Sequence, residues 1–595
     1  MLTTRTTPAP RHNFLCKALF LLVTTLCTGV FSPAQDPELF PLSQVRPGLQ
    51  GYAYTIFSGD KVEKFDLEVI GVMDNFLGPK QSIILVELKG PQAEHSGVVA
   101  GMSGSPVYFE GKLAGALSLK LGIFTKDAVA GVTPIQDVLN AVAQPTGSQL
   151  SAQALSVPSD ASSRFGLPSG ATLEPIESPL VFSGVDPLAI QRFAKDLQGY
   201  GFVVAQGGTS APRADDAKLA AGDMAGMVFV RGDMSINSAC TVTAVRGDQV
   251  FLCGHPLMSL GDIQMPMSRS RVVMTLSSSL ASTKIVTIGG DIGTITGDHL
   301  TAVTGKLGPS PRMIPMDLAI LSHGREAKLH IELMDQAKLT PLLVAITTFS
   351  GVTQNFLYGD GATLHYSGDI FLTGHPSVHV ENTIAPGDSL GSDGFPIAIA
   401  MQNAFSRIYN NTFEPAKIDH ISLRVESSPG RTSFHIESAW LEKGEAAPGE
   451  NLRIRALIRP YRGPSRVEET TIHIPEQAAR GTTLRVMVCE AEALNRSARG
   501  FAFSGGGPSG LDQIITLLNR ERRNDRLYVG VFAPTPTLLW DDKELPNIPP
   551  SQQNMLDNRP TPGSVQLLRE SLVHESSIPL GGPVSGVISL NLQIR

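Results

Sequence analysis

Short runs in which apolar and polar residues alternate dominate the first half of the chain. Residues 52–57 and 65–72 alternate around Gly59-Asp60, which predicts a β-hairpin. A second set of short runs has the length and turn spacing of a barrel. The further predicted strands are 82–88, 107–109, 113–119, 226–231, 240–245, 249–253, 271–276, 293–296 and 300–305. Helical spacing is rarer and is limited in this half to 134–142 and 186–197, each with a proline in its first turn.

The composition predicts several folded domains. A chain of 595 residues is too long for one hydrophobic core, because single cores stop growing near roughly 250 to 300 residues. Hydrophobic residues make up 42%, while 58 Gly and 42 Pro interrupt long helices, so a coiled coil and wholesale disorder are excluded. The net charge of -7 comes without a basic block, so we expect no nucleic-acid partner.

The first 35 residues have the pattern of a secretory signal. Three basic residues precede the apolar run 18–23, and small residues follow up to Gln35. A permanent membrane anchor is the weaker alternative, because the uncharged stretch 18–34 contains Thr and Gly and is barely long enough to span a membrane. We therefore expect export with cleavage, and a mature protein that is soluble in the periplasm or outside the cell.

The remaining cysteines leave one question open. Removal of the signal leaves Cys240, Cys253 and Cys489, an odd number that excludes a dense disulfide scaffold. Cys240 and Cys253 flank a predicted hairpin with Arg246-Gly247 at its centre, so a two-residue turn would place them opposite each other. They are either bonded in a cross-strand disulfide or are two small buried residues that face each other, and the sequence does not distinguish the two alternatives.

The sharpest local motif is Gly101-Met-Ser-Gly-Ser-Pro106. Its two glycines permit a tight turn that presents Ser103 and lets successive backbone N–H groups converge, as an oxyanion hole requires. This predicts Ser103 as a nucleophile, with the N–H groups of Gly101, Met102 and Ser103 as the oxyanion hole. Ser105 is less suited, because the residue before a proline is driven toward extended geometry. The alternative is a Gly/Ser-rich hairpin without chemistry.

A serine nucleophile needs a base, and His255 is the favoured histidine. The sequence Leu252-Cys-Gly-His-Pro256 places it just beyond an apolar strand, and Asp262 follows seven residues later. A histidine that caps a turn is the alternative, since Thr373-Gly-His-Pro376 repeats the tripeptide without a serine motif. No group of histidines or cysteines has the spacing of a zinc site, so we predict neither a metal nor another cofactor.

Together these motifs resemble the SpoIVB-type serine peptidase domain, the sporulation stage IV B peptidase family. The resemblance to one half of that domain rests on 101–106, 45–49, 62–69 and 131–135. The resemblance to its other half rests on 241–255, 293–296 and 304–306.

The resemblance implies a mainly β, trypsin-like fold with a serine and a histidine on two β-barrels. It implies Ser103 as the nucleophile, in the third place of the Gly-x-Ser-Gly-x-Pro pattern, and His255 as the general base. The serine half precedes the histidine half here, the reverse of the order in that family, so we expect the domain to be circularly permuted or assembled from swapped halves. The family's acidic residue before the serine loop falls on Gly90. The third catalytic member is then Asp262, which we favour, or Asp291. Alternatively no acid is present, and a backbone carbonyl or hydroxyl orients the histidine.

The leading prediction is a secreted serine endopeptidase that forms an acyl-enzyme on protein or peptide substrates. The alternative is a weak or inactive peptidase fold that serves as a bacterial envelope scaffold, with C-terminal β-sandwich-like domains that bind a protein or polysaccharide. The predicted segments are 1–35, a signal peptide; 36–143, the serine-bearing barrel half; 144–223, a linker with one helix; 224–306, the histidine-bearing barrel half; 307–418, a β-rich domain; 419–490, a β-sandwich-like domain; and 491–595, a small α/β segment with a Pro-rich tail.

Overall fold

The computed structural model of the chain describes residues 38–122, 127–143, 154–207, 218–278, 282–356, 361–387, 394–499, 510–540, 543–545, 548–557 and 565–595. The predicted signal peptide lies outside these residues. The fold is mainly β, as predicted. Across the described part of the chain, no helix is both long and apolar enough to cross a membrane.

Six antiparallel strands near the N-terminus form a closed barrel. They are β1 Gln50–Ile56, β2 Val62–Gly78, β3 Gln81–Lys89, β4 Pro106–Phe109, β5 Lys112–Leu121 and β6 Val129–Pro134. They pair in the order β1-β2-β3-β6-β5-β4, and β4 closes the ring by pairing with β1. Alternate residues such as Phe65, Leu67 and Val69 fill the interior, because successive side chains of a strand point to opposite faces. Two short helices, α1 Pro91–Ser96 and α2 Ile135–Leu139, and 3-10 turns at Leu42–Gln44 and Asn140–Ala143 flank the barrel.

A second barrel has the same connectivity. Its strands are β11 Met224–Gly232, β12 Ser235–Arg246, β13 Gln249–Leu252, β14 Gly261–Leu276, β15 Thr283–His299 and β16 Ala302–Leu307. They pair in the order β11-β12-β13-β16-β15-β14, and β11 closes the ring by pairing with both β12 and β14. Two barrels, with the serine-bearing one first, are what the resemblance implied.

The segment between the barrels is not a simple linker with one helix, which is the prediction for 144–223. It contains β7 Leu155–Ser156, β8 Thr172–Pro175, β9 Ser178–Ser183, β10 Phe202–Gln206, α3 Ser159–Phe165 and α4 Pro187–Gln198. Strand β8 pairs with β5 of the first barrel, and β9 pairs with β12 of the second. The chain therefore passes from one barrel to the other through residues 176–177, at the contact between them.

The two barrels pack against each other. Backbone bridges join Gly59 to Val272 and Ala100 to Thr283. The sheet of the second barrel then continues beyond residue 306, so 307–418 is not a separate β domain. Strand β18 pairs with β11, and the remaining strands extend the sheet in the order β18-β17-β21-β19-β20. These strands are β17 Ile314–Ser322, β18 Arg325–Leu333, β19 Thr363–Leu372, β20 Val378–Ile384 and β21 Ile418–Ser428, with helices α5 Thr340–Asn355 and α6 Phe395–Tyr409.

The C-terminal region contains a β-sandwich that extends past the predicted boundary at 490. Its two sheets pair in the orders β25-β24-β22-β32 and β23-β33-β26-β27-β31 and share one apolar core. The strands are β22 Phe434–Leu441, β23 Glu445–Ala446, β24 Asn451–Pro460, β25 Arg466–His473, β26 Thr483–Cys489, β27 Arg526–Ala533, β31 Ser571–Pro579, β32 Val584–Ser585 and β33 Val587–Ile594. A small sheet of β28 Thr537–Trp540, β29 Lys543–Leu545 and β30 Val565–Leu568 and helices α7 Ala491–Arg499, α8 Leu511–Asn519 and α9 Pro550–Asp557 complete the region. The tail therefore supplies strands to the sandwich.

Candidate active site

Ser103 and His255 occupy equivalent loops of the two barrels. Ser103 lies between β3 and β4, the third and fourth strands of the first barrel. His255 lies between β13 and β14, the third and fourth strands of the second. Both loops lie at the contact between the barrels, where the main-chain N–H of Thr241 on β12 donates to the carbonyl of Ser103 at 2.9 Å.

Glycines let the two loops approach this closely. A Cβ on Gly104 would lie 2.0 Å from the carbonyl oxygen of Thr241 and 2.5 Å from the amide nitrogen of Cys253. A Cβ on Gly254 would lie 2.7 Å from the side chain of Ala116 in the first barrel. Each loop therefore carries a glycine where the backbone of one barrel meets the other.

The hydroxyl of Ser103 is closed off from solvent. Its residue exposure is 0%, and Oγ donates to Sγ of Cys240 at 3.6 Å. Cys240 is bonded to Cys253, which settles the choice that the sequence left open in favour of a disulfide. Ser178 on β9 places its own Oγ 3.5 Å from the same sulfur. The candidate nucleophile thus faces the disulfide of the opposite barrel.

The predicted oxyanion hole is not preformed. The N–H of Gly101 donates to the carbonyl of Glu177 at 3.0 Å, and the N–H of Met102 donates to the carbonyl of Val99 at 2.9 Å. Two of the three predicted donors are therefore already occupied. The hydroxyl of Ser105 donates to the carbonyl of Met102 at 2.6 Å, so it braces the loop from inside.

The ring of His255 has the protonation pattern of a base. Its Nδ1 lies 2.7 Å from the carbonyl oxygen of Pro256, which can only accept, so Nδ1 carries the hydrogen. In the neutral ring Nε2 then holds the lone pair, and in the described part of the chain this buried nitrogen has no hydrogen-bond partner. Burial lowers the pKa of His255 to about 4, against smaller opposing effects of the Pro256 and Ile176 carbonyls and of Glu177.

Neither predicted acid contacts His255. Asp262 is 80% exposed, and its Oδ1 lies 3.6 Å from Nε2 of His299. Asp291 forms an ion pair with Arg231 at 2.7 Å. The prediction of Asp262 as the orienting acid is not supported by this arrangement, in which the carbonyl of Pro256 takes that place.

The serine-bearing barrel is similar to a known protein family. Residues 38–137 match the family model described as SpoIVB peptidase S55. The first barrel is therefore similar to the SpoIVB peptidase domain. The match contains Ser103 and ends before His255, so the second barrel lies outside it. No curated protein and no solved structure matches the chain.

Two acidic residues close to His255 and its loop have contacts that the sequence did not predict. Glu177 pairs with Lys120 on β5, and it is the carboxylate that acts on the pKa of His255. Asp298 on β15 is buried and accepts from the backbone N–H groups of the loop that follows His255. These bonds come from Leu257 at 2.6 Å, Met258 at 2.8 Å and Leu260 at 3.1 Å.

Burial raises the pKa of Asp298, while the three N–H bonds act in the opposite direction. No sequence motif marks either acid, because each acts through residues that are distant along the chain. Among the residues that the structure describes, no group of three or more His, Cys, Asp or Glu side chains is placed to hold a metal ion.

Proposed function

We propose that the chain is a serine endopeptidase that hydrolyses peptide bonds in protein substrates through an acyl-enzyme on Ser103. The observation that carries this proposal is the interlocking of the Ser103 loop of a SpoIVB-type barrel with the His255 loop of a second barrel. Ser103 Oγ attacks the substrate carbonyl while Nε2 of His255 takes its proton, and the same nitrogen returns the proton to the leaving amine.

Nε2 suits this role because its lone pair is unengaged while Nδ1–H is held by Pro256. A backbone carbonyl in place of a carboxylate fixes the tautomer but adds no negative charge to stabilise the imidazolium. We therefore expect a slow enzyme, well below one with a full triad.

Catalysis also requires the site to open. Ser103 is fully buried, and Gly101 and Met102 have their N–H groups engaged within the protein. Substrate binding would have to displace the Ser103 hydroxyl from Cys240 and free at least one N–H for the oxyanion. Catalytic hydrogen bonds often form only in the substrate complex, so the closed arrangement corresponds to a resting state.

The burial of Ser103 also favours a second candidate, a peptidase fold that no longer cleaves and serves as an envelope scaffold. In that case the C-terminal sandwich would bind an envelope protein or polysaccharide. For either function we propose export to the periplasm or the cell exterior. The signal-like N-terminus supports export, and so does the Cys240–Cys253 disulfide, because such bonds persist in oxidising compartments.

A fluorophosphonate probe separates the two candidates. We expect the full chain to be labelled covalently at Ser103, and Ser103→Ala to abolish labelling. Ser105→Ala is the matched control, because it lies in the same loop and should keep much of the labelling. Absence of labelling over a range of pH and substrate conditions would favour the scaffold, and labelling that survives Ser103→Ala would overturn the assignment of the nucleophile.

A further inference from the structure

Lys284 is a buried lysine at the contact between the two barrels. It lies near the start of β15, has 0% exposure, and is among the largest fully buried side chains of the protein. In the described part of the chain it forms no ion pair. Burying an ammonium group without a counter-ion is costly, so a lysine in this place needs an explanation.

The surroundings of Lys284 lead to the Ser103 loop. The main-chain N–H of Lys284 donates to the carbonyl of Ala100 at 3.1 Å. A Cβ on Gly101 would lie 3.3 Å from Cδ of Lys284, so the lysine stem packs directly beneath the glycine that opens the loop.

Hydrogen bonds continue from the amino group back to the same glycine. Nζ of Lys284 donates to Oγ1 of Thr55 on β1 at 2.6 Å. Oγ1 of Thr55 lies 3.5 Å from Oγ1 of Thr241 on β12, and the Thr241 hydroxyl donates to the carbonyl of Gly101 at 3.0 Å. The backbone of Thr241 in turn holds the carbonyl of Ser103.

We propose that Lys284 is a positioning residue for the Ser103 loop, which it supports by packing under Gly101 and by ordering the Thr55 and Thr241 hydroxyls. Only the expected effect on catalysis rests on the proposed function. The support that Lys284 gives to the loop does not depend on peptidase activity. Cys240 and Thr241 are adjacent on β12 and point to opposite faces, so Lys284 acts from the side of the loop away from the Ser103 hydroxyl.

In the part of the chain that the structure describes, the groups that contact the amino group are uncharged: the hydroxyl of Thr55 on β1 and the thioether of Met224 on β11. The hydroxyl of Thr241 on β12 lies next to that of Thr55 and is uncharged as well. Met224 belongs to an apolar cluster with Ile56, Val181, Ala239, Val272 and Val286. Burial alone lowers the pKa of Lys284 to about 7, from an ordinary value of 10.5.

The loop should therefore respond to protonation of Lys284. Above pH 7 the lysine is a neutral amine that fits its apolar surroundings, and below pH 7 it acquires a buried charge. That charge is relieved when the contact between Lys284 and the loop opens. His255 does not titrate in this range, because its pKa is about 4.

The first test compares the pH dependence of fluorophosphonate labelling between pH 5 and pH 9. Lys284→Met keeps the length of the side chain and removes the titrating group. Lys306→Met is the matched control, because Lys306 is an exposed lysine of the same barrel. We expect wild type to be labelled on the order of tenfold faster than Lys284→Met at pH 9, with the ratio falling toward one at pH 5. A ratio that does not change with pH would overturn the proposal.

The second test does not depend on activity. Hydrogen exchange of residues 99–106 should be faster in Lys284→Met than in wild type at pH 9 and similar at pH 5, while residues 434–460 of the sandwich remain unchanged. Thr241→Val should have the same local effect while keeping the lysine. Unchanged exchange of 99–106 in both variants would refute the positioning role. If no protein is labelled, the proposed peptidase activity fails, and hydrogen exchange still decides the role of Lys284.

Discussion

The hydroxyl of Ser103 lies 3.6 Å from Sγ of Cys240, so the candidate nucleophile of one barrel contacts the disulfide of the other. Cys253, the second half of that disulfide, is two residues before His255 and has a positive φ of 66°. The disulfide therefore joins the strand that covers Ser103 to the loop that carries the candidate base. Breaking the disulfide should therefore affect Ser103 and His255 together.

Removal of the disulfide is expected to expose Ser103. In Cys240→Ala/Cys253→Ala the Ser103 hydroxyl loses the sulfur contact that occupies it, so fluorophosphonate labelling should become severalfold faster. The closed loop is short, so we expect a loss of about 2 to 3 kcal/mol in the stability of the second barrel. Cys489→Ala is the control, because Cys489 is a free, buried cysteine in the sandwich. Slower labelling of a folded double variant would mean that the disulfide positions the site.

The barrels and the serine loop could be predicted from the sequence because their signals are local. Glycines, prolines and alternating residues mark short antiparallel strands, and 101–106 needs only its own residues to form a tight turn. Helix α5 was missed because its Thr, Val and Ile residues are typical of strands, whereas burial on all sides selects the helix here. Strands β7 to β10 were missed because each is short, and because β8 and β9, which join the barrel strands β5 and β12, find these partners far away along the chain.

Asp262 does not lie against His255, for a geometric reason. Asp262 is close to His255 in sequence, but it is the second residue of β14, where alternation turns its side chain toward solvent. Asp298 reaches the His255 loop only when β15 has paired into the second barrel, and Glu177 comes close to His255 only when the two barrels meet. Such contacts depend on barrel closure, which spacing along the chain does not encode.

Gly104→Ala should be strongly destabilising. The added Cβ would meet the backbone of Thr241 at 2.0 Å, and backbone atoms cannot move aside without separating the barrels. We expect a loss of about 3 kcal/mol or more, measured by urea unfolding with hydrogen exchange to assign the loss to the barrels.

Gly111→Ala is the matched control for backbone strain. Gly111 has a φ of 78°, close to the 89° of Gly104, but a Cβ there would have no atom within 4 Å. Gly111→Ala should lower the free energy of unfolding by only about 1 to 2 kcal/mol, because alanine is strained in the left-handed conformation. Equal losses in the two variants would show that contact between the barrels contributes nothing at Gly104.

Stability should depend on His255 in a defined pH range. The pKa of His255 is lowered by burial to about 4, from an ordinary 6.5, so the unfolded chain binds its proton first. The contribution of neutral His255 to the free energy of unfolding is therefore fully present above pH 6.5. It is lost as the pH falls to 4, which lowers the free energy of unfolding by about 3 kcal/mol. His255→Gln should remove this dependence in unfolding experiments.

His330→Gln provides a contrast of opposite sign. Asp317 raises the pKa of His330, so its small contribution is present at low pH and is lost as the pH rises. A wild-type stability that stays constant between pH 4 and 6.5 would contradict the buried, neutral state of His255.

Asp298, and not Asp262, should determine the order of the His255 loop. Asp298→Ala removes the buried carboxylate that accepts from three backbone N–H groups, those of Leu257, Met258 and Leu260. Each unsatisfied donor is costly, so we expect a local loss of about 3 kcal/mol or more and faster hydrogen exchange in 257–260. Labelling of Ser103 should fall as well, because Nε2 of His255 is no longer held in one place.

Asp262→Ala is the control. The Asp262 carboxylate is exposed and contacts His299, so both measurements should remain close to wild type. The reverse ranking, with labelling lost in Asp262→Ala and kept in Asp298→Ala, would restore Asp262 as the catalytic acid and would require the His255 loop to rearrange when substrate binds.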